Sequence, residues 1–120
     1  PSSATLARRC RWQLARTLAT MTSSVVLAKG PYTVIAASSG AMGVLPIATP
    51  ALATAGTGDV LSGLIGGLLA QGLAPFQAAC CGAWLHGQAG LLCEAELGLS
   101  GTVAGDIIEH IGAARKQLTA

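Results

Sequence analysis

The residue pattern of this chain predicts an α/β fold in which one helix and three short extended segments are followed by three helices. Two observations carry that prediction. Short apolar runs, the first two rich in β-branched residues, are punctuated by Lys29-Gly30-Pro31 and Ser38-Ser39-Gly40 in the first half of the chain. Apolar positions at helical spacing, separated by turn residues, fill the second half. This order fits a sheet covered by helices rather than a helical bundle.

Residues 3–20 read as the first helix, with Ser3 or Thr5 as its cap and Leu6, Leu14 and Leu18 anchoring a partly apolar face from which the arginines mainly point away. Val25-Val26-Leu27-Ala28 reads as a buried strand and Tyr32-Thr33-Val34-Ile35-Ala36 as a second. Their tight connection implies an antiparallel excursion at a sheet edge, and a weaker apolar segment follows at 42–47.

Over 59–70, Val60, Leu61, Leu64, Ile65, Leu68 and Leu69 recur with the helical period. Gly63, Gly66 and Gly67 lie inside that helix, each at a cost of about 1 kcal/mol in propensity. A sheet, another helix or a ligand is therefore expected to approach closely on their face. Gln71-Gly72 ends this helix, and Pro75 begins the next, which runs towards Cys93. A last helix covers 103–118, with Thr102 as cap, Asp106 and Glu109 early, and Arg115 and Lys116 late, as the helix dipole favours.

A chain of 120 residues supplies one domain at most. Apolar residues make up 52% of it and charged residues 10%, against about 25% charged in an average soluble domain. Too little charge is present to dress the whole surface of an independent body. With Pro1 in place of an initiator Met, the chain reads as a fragment whose apolar surface is covered by something else. A membrane span is not expected, because the most apolar run, 60–70, is short and carries Ser62 and glycines. No secretory signal pattern opens the chain.

The net charge is +2, with Arg8, Arg9, Arg11 and Arg16 clustered near the start. Without interleaved aromatics they read as a solvated helix face, and no nucleic-acid partner is expected. Cys10, Cys80, Cys81 and Cys93 lack metal-ligand or redox spacing, so no metal site of their own is expected. They read as buried thiols in a reducing compartment, which places the chain in the cytoplasm.

The chemistry centres on Gly56-Thr57-Gly58-Asp59 at the head of a helix. Gly56 and Gly58 permit sharp backbone geometry and put no side chain between the amides and a ligand. The first-turn amides, which have no intrahelical acceptor, then make an anion cradle together with the helix dipole. Thr54, Thr57 and Thr49 can add hydroxyl donors. A carboxylate repels an anion, so Asp59 fits such a pocket as the base that takes a proton from an attacking hydroxyl while the amides stabilise a phosphoryl group in transfer. The alternative reading makes Asp59 a first-turn helix acid and the glycines a tight loop. The string is neither G-x-G-x-x-G nor a Walker loop. His86 reads as a packed or hydrogen-bonded helix histidine, and His110 as a surface residue near Glu109.

Several ordered stretches resemble one family. They are Val26-Leu27-Ala28-Lys29-Gly30, Thr33-Val34-Ile35-Ala36, and Pro50-Ala51-Leu52-Ala53-Thr54-Ala55 running into Gly56-Thr57-Gly58-Asp59-Val60-Leu61-Ser62-Gly63. Leu68-Leu69-Ala70-Gln71-Gly72-Leu73, Pro75-Phe76-Gln77-Ala78-Ala79 and Leu85-His86-Gly87-Gln88-Ala89-Gly90 continue the series. Residues 25–118 resemble the C-terminal half of the ADP/ATP-dependent NAD(P)H-hydrate dehydratases, ribokinase-like proteins.

The resemblance implies an incomplete three-layer α/β/α domain over 1–120. It also implies an activity in which ADP or ATP, compatible with Mg2+, phosphorylates hydrated NADH or NADPH and phosphate elimination restores the cofactor. By the same resemblance Asp59 is the base and contacts substrate. Gly56, Thr57 and Gly58 hold the transferring phosphate, with Lys29 and Thr54 beside the nucleotide and Thr49 beside substrate. Asp106 falls towards the adenine end, although an early helix acid accounts for it as well.

Three positions depart from the family pattern. Thr49 stands where an amide side chain is usual, Ala55 where a second glycine is usual, and Leu91 where an acid commonly follows the His-Gly-x-Ala-Gly stretch. The implied partner is the missing N-terminal half or a complementary chain, and the complete protein is expected to be a homo-oligomer. Two other functions fit the residues: a ribokinase-like small-molecule kinase ending at a phosphorylated product, and an inactive remnant or subunit that packs on a partner.

Overall fold

A computed structural model describes residues 3–47, 49, 52, 56–97 and 104–119, with the side chains of 3–9, 104, 118 and 119 outside the description. The order is α1 (Ser3–Thr22), β1 (Val26–Ala28), β2 (Thr33–Ala36), β3 (Met42–Leu45), α2 (Thr57–Ala70), α3 (Pro75–Leu97) and α4 (Ala104–Thr119). This is the predicted sequence of elements. The helices run slightly longer than the periodicity implies at several ends, and Thr54 and Thr102 fall outside the described residues.

The three strands form one antiparallel sheet in the order β1-β2-β3. Leu27 faces Ile35 across the first pair, and Val34 faces Val44 across the second. Ala37, Gly40 and Ala41 close the β2–β3 connection: the Gly40 amide donates to the Ala37 carbonyl at 3.0 Å and the Ala37 amide to the Ala41 carbonyl at 2.8 Å. A three-residue hairpin loop with glycine at its left-handed position has this form.

Strand alternation sends two sets of side chains to opposite faces. Val34 and Ala36 pack with Val26, Ala28 and Met42 against Ala15 and Ala19 of α1. Ile35, with Leu27 and Leu45, packs against Ala79 and Ala83 of α3. Helix, sheet and helix thus form three layers. On the far side of α3, Leu85, Ala89 and Cys93 pack with Ile107 and Ala114 of α4 and with Val60 and Leu64 of α2.

The buried face of α1 differs from the one expected. Leu14 is 58% exposed and Leu18 38% exposed, whereas Ala15 and Ala19 are completely buried. The alanines form the adjacent i, i+4 stripe, and their small side chains let the helix axis come close to the sheet. Arg11 is not simply solvated either. Its guanidinium lies against Gly30 and donates to the Tyr32 carbonyl at 3.2 Å, pinning the β1–β2 turn to α1.

Among the described residues, neither sheet nor helix makes the expected close approach to Gly63, Gly66 and Gly67, since no atom beyond the helix's own backbone lies within 4 Å of where their Cβ atoms would stand. The close contact comes from α3 instead. A Cβ at Gly82 would stand 2.6 Å from Ile65 Cγ1, and one at Gly90 2.6 Å from Leu52 Cδ2. The knobs belong to α2 and the segment before it, and the holes to α3, so the small residues are needed on α3.

The end of α2 is a Schellman motif. Gly72 has φ 100°, its amide donates to the Leu69 carbonyl, and the Leu73 amide donates to the Leu68 carbonyl. Pro75 occupies the first position of α3, as read from the sequence.

Candidate functional site

The head of α2 is built on Gly56. Its φ of 88° is left-handed and strained for any residue with a Cβ, and as the N-cap residue it offers no side-chain cap of its own. The Val60 amide donates to the Gly56 carbonyl at 3.3 Å, which leaves the earlier amides of the turn without a helical acceptor. An external anion is the natural partner for such an end.

Lys29, at the end of β1, reaches this turn. Its Nζ lies so close over Gly58 that a Cβ there would overlap it. The helix dipole and a full positive charge therefore meet at one point. The arrangement depends on the absence of a side chain at Gly58.

Beside this point is a cavity of about 590 Å³. Its polar wall comprises Lys29, Thr33, Thr49, Thr57 and His86, and Leu45, Ile47, Leu52, Leu61 and Ala83 contribute apolar wall. The structure thus brings together Lys29, Thr49, Thr57 and Gly58 from the sequence-derived set. Gly56 and Asp59 flank the cavity along the chain, both exposed, and are not among the residues lining it.

The Thr49 and Thr57 hydroxyl protons are directed into the protein. Thr57 Oγ1 donates to the Leu52 carbonyl at 2.6 Å, and the Leu52 amide donates to the Thr49 carbonyl at 3.1 Å. Thr49 Oγ1 donates to the Glu94 carboxylate of α3. A hydroxyl has one proton to give. In this arrangement Thr49 and Thr57 brace the wall, and the backbone amides and Lys29 are the donors nearest the head of α2 for an anion.

His86 is the residue of the site that sequence reasoning missed. The sequence suggests a packed or hydrogen-bonded helix histidine, and it is both, with 6% of its surface exposed and Nε2 donating to the Thr57 carbonyl at 2.9 Å. Burial pushes its pKa down, the bond to Thr57 pushes back, and the nearby Lys29 charge lowers it again. The ring is therefore held neutral with its proton on Nε2. Its position 29 residues from Thr57 hides the contact from any local pattern.

His110 is partly exposed on α4, and two partners hold it there. Nε2 faces the Glu96 carboxylate at 2.5 Å and Nδ1 the Asp106 carbonyl at 2.7 Å. Two acceptors favour the imidazolium, and the pKa is raised, first by the Glu96 hydrogen bond. This clasp joins α3 to α4 away from the cavity. Of the four cysteines read as buried thiols, Cys93 is buried and Cys80 and Cys81 partly so, whereas Cys10 on α1 is exposed and corrects that reading; burial pushes the Cys93 and Cys80 thiols up, as suits unreactive packing residues.

The chain matches the family model described as NAD(P)H-hydrate dehydratase over residues 3–112. It is 43% identical over 101 residues to the bifunctional NAD(P)H-hydrate repair enzyme of Moorella thermoacetica, covering 84% of this chain and 19% of that one. It is 40% identical over 105 residues to the ADP-dependent (S)-NAD(P)H-hydrate dehydratase of Neisseria meningitidis serogroup B, covering 87% of this chain and 36% of that one.

Among solved structures, the ADP/ATP-dependent NAD(P)H-hydrate dehydratase from Bacillus subtilis, co-crystallised with ATP and Mg2+, superposes with a TM-score of 0.85 at 30% identity. That match covers 92% of this chain and 40% of the other. The chain therefore spans well under half the length of these relatives. Family model, sequence relatives and superposition agree with one another: this chain belongs to the NAD(P)H-hydrate dehydratase family, with a ribokinase-like fold.

Proposed function

We propose that this chain supplies the phosphoryl-transfer side of a nucleotide-dependent dehydration of hydrated NADH or NADPH, completed by further protein that covers the substrate. The observation that carries this reading is the convergence of Lys29 Nζ and the first turn of α2 at Gly58, beside the cavity. Family membership supplies the substrate class.

In this reading the phosphates of ADP or ATP lie at the first-turn amides, with Lys29 neutralising their charge. Thr49 lines the wall on the substrate side, and Thr54 contributes on the nucleotide side. Asp59 takes the proton from the hydrate hydroxyl as that oxygen attacks the terminal phosphorus, whose bond to the nucleotide's bridging oxygen breaks. Loss of phosphate from the product, with loss of a ring proton, restores the reduced nicotinamide.

No group of three His, Cys, Asp or Glu suited to a metal ion occurs among the described residues. Mg2+ fits this site as an ion carried mainly by the nucleotide phosphates, which it would neutralise and orient. Asp59, exposed outside the cavity wall, suits a substrate that approaches from the uncovered side.

The test is to incubate the full gene product containing these residues with NADPH hydrate and ADP or ATP. Nucleotide-dependent appearance of NADPH together with inorganic phosphate supports dehydration. Accumulation of a stable phosphomonoester would instead assign ordinary kinase chemistry, and no nucleotide turnover would leave the structural-subunit reading.

A further inference from the structure

We infer that His86 is a positioning residue for the anion cradle, holding and polarising the Thr57–Gly58 peptide through its Nε2–H bond to the Thr57 carbonyl. The inference rests on the proposed use of the first turn of α2 for nucleotide phosphate, and it assigns a role to a residue on a different helix.

The geometry works through one peptide unit. The Thr57 carbonyl and the Gly58 amide belong to the same planar group. A donor on the carbonyl draws electron density towards oxygen and strengthens the amide at the other end as a donor. Cooperative strengthening of this kind amounts to about 10–30% per bond. The Gly58 amide lies in the turn where helical acceptors are missing, and Lys29 Nζ is packed over the same residue.

The imidazole is itself well anchored. Ala83, Gly87 and Ala89 around it on α3 are buried, and Thr57 is restrained a second time by its hydroxyl bond to the Leu52 carbonyl. The first turn of α2 is consequently held from the α3 side by a neutral ring and from the preceding segment by a hydroxyl. A neutral donor suits this place because a second cation beside Lys29 would repel it, and burial already disfavours the charged ring. The result is a preformed donor array that need not reorganise when an anion arrives.

Two substitutions in the full gene product separate this role from packing. His86→Phe fills much of the same space without a donor, whereas His86→Gln offers an amide N–H. Calorimetric titration with ADP is expected to show weakening of about tenfold for His86→Phe and within about threefold of wild type for His86→Gln. The nucleotide KM should rise in the same proportion for His86→Phe.

A measurement on the unsubstituted protein needs no variant to fold. Nitrogen-15 spectra should show His86 as the Nε2–H tautomer, titrating below the usual histidine value of about 6.5. The Gly58 amide proton should move downfield when ADP is added. Unchanged ADP affinity in His86→Phe, or an Nδ1–H tautomer, would overturn the inference while leaving the proposed function standing. Failure of the wild-type protein to bind ADP at all would instead remove the functional reading on which the inference rests.

Discussion

At Gly58 the missing side chain makes room for Lys29 Nζ at the head of α2. Gly58→Ala would displace the free end of a flexible lysine, not a backbone or a ring. Stability should therefore change by less than about 1 kcal/mol, while ADP affinity falls about tenfold or more. Chemical denaturation and calorimetry on the same variant check the two halves separately. Lys29→Met should also weaken ADP and reduce the salt dependence of binding, because one charge contact is lost.

The two histidines give opposite pH signatures. The raised pKa of His110, held by Glu96 and the Asp106 carbonyl, contributes stability that is present below about 6.5 and fades as pH rises through the folded-state value. His110→Gln should thus cost more stability near about pH 6 than near about pH 8, as read from denaturation midpoints. His86, lowered by burial, contributes stability above about 6.5 that is lost as pH falls. A local pattern showed that His86 was packed, but its contact with Thr57 lies on another helix and had no local signal. The Thr49–Glu94 bond was hidden for the same reason, with 45 residues between its partners.

Between elements, glycines in α2 and α3 have opposite meanings. Gly82→Ala should destabilise the chain by about 1–3 kcal/mol, because the new Cβ meets the stiff β-branched Ile65. Gly63→Ala, with open space around it, should stabilise the isolated chain by about 0.5–1 kcal/mol through helix propensity. Urea unfolding of both variants tests the assignment, and equal effects would contradict it.

Helix starts, turns and strand order were legible because each has a local chemical marker: Gly56-Thr57-Gly58-Asp59 for α2, Pro75 for α3 and Ser38-Ser39-Gly40 for the hairpin. The partner of each glycine was not legible, since propensity records its cost within one helix and not which neighbouring helix supplies the knob. The periodicity of α1 points to its leucine face because leucines outweigh alanines in such a pattern, whereas close helix–sheet contact selects Ala15 and Ala19.

Across the whole molecule, the three layers are complete enough to build the cavity, yet large apolar groups remain at the surface. Met21 is 75% exposed and Leu14 58% exposed on α1, and Ile108 of α4 is 58% exposed. No described helix is long and apolar enough to cross a membrane. The relatives extend well beyond the matched region, so cover by additional protein is the proposed fate of this surface. The 120-residue segment alone should bind an apolar fluorescent dye more strongly, and turn over hydrate more slowly, than the full gene product.

In the proposed function one short turn binds phosphate through its backbone and Lys29 while Asp59 handles the proton. Asp59→Asn in the full gene product tests it most directly, with ADP affinity and NADPH formation measured on the same preparation. The expected result is ADP affinity within about threefold of wild type and turnover reduced by about 10²–10⁴-fold, the usual range for loss of a general base. Turnover equal to wild type would contradict the assignment of Asp59 as the base.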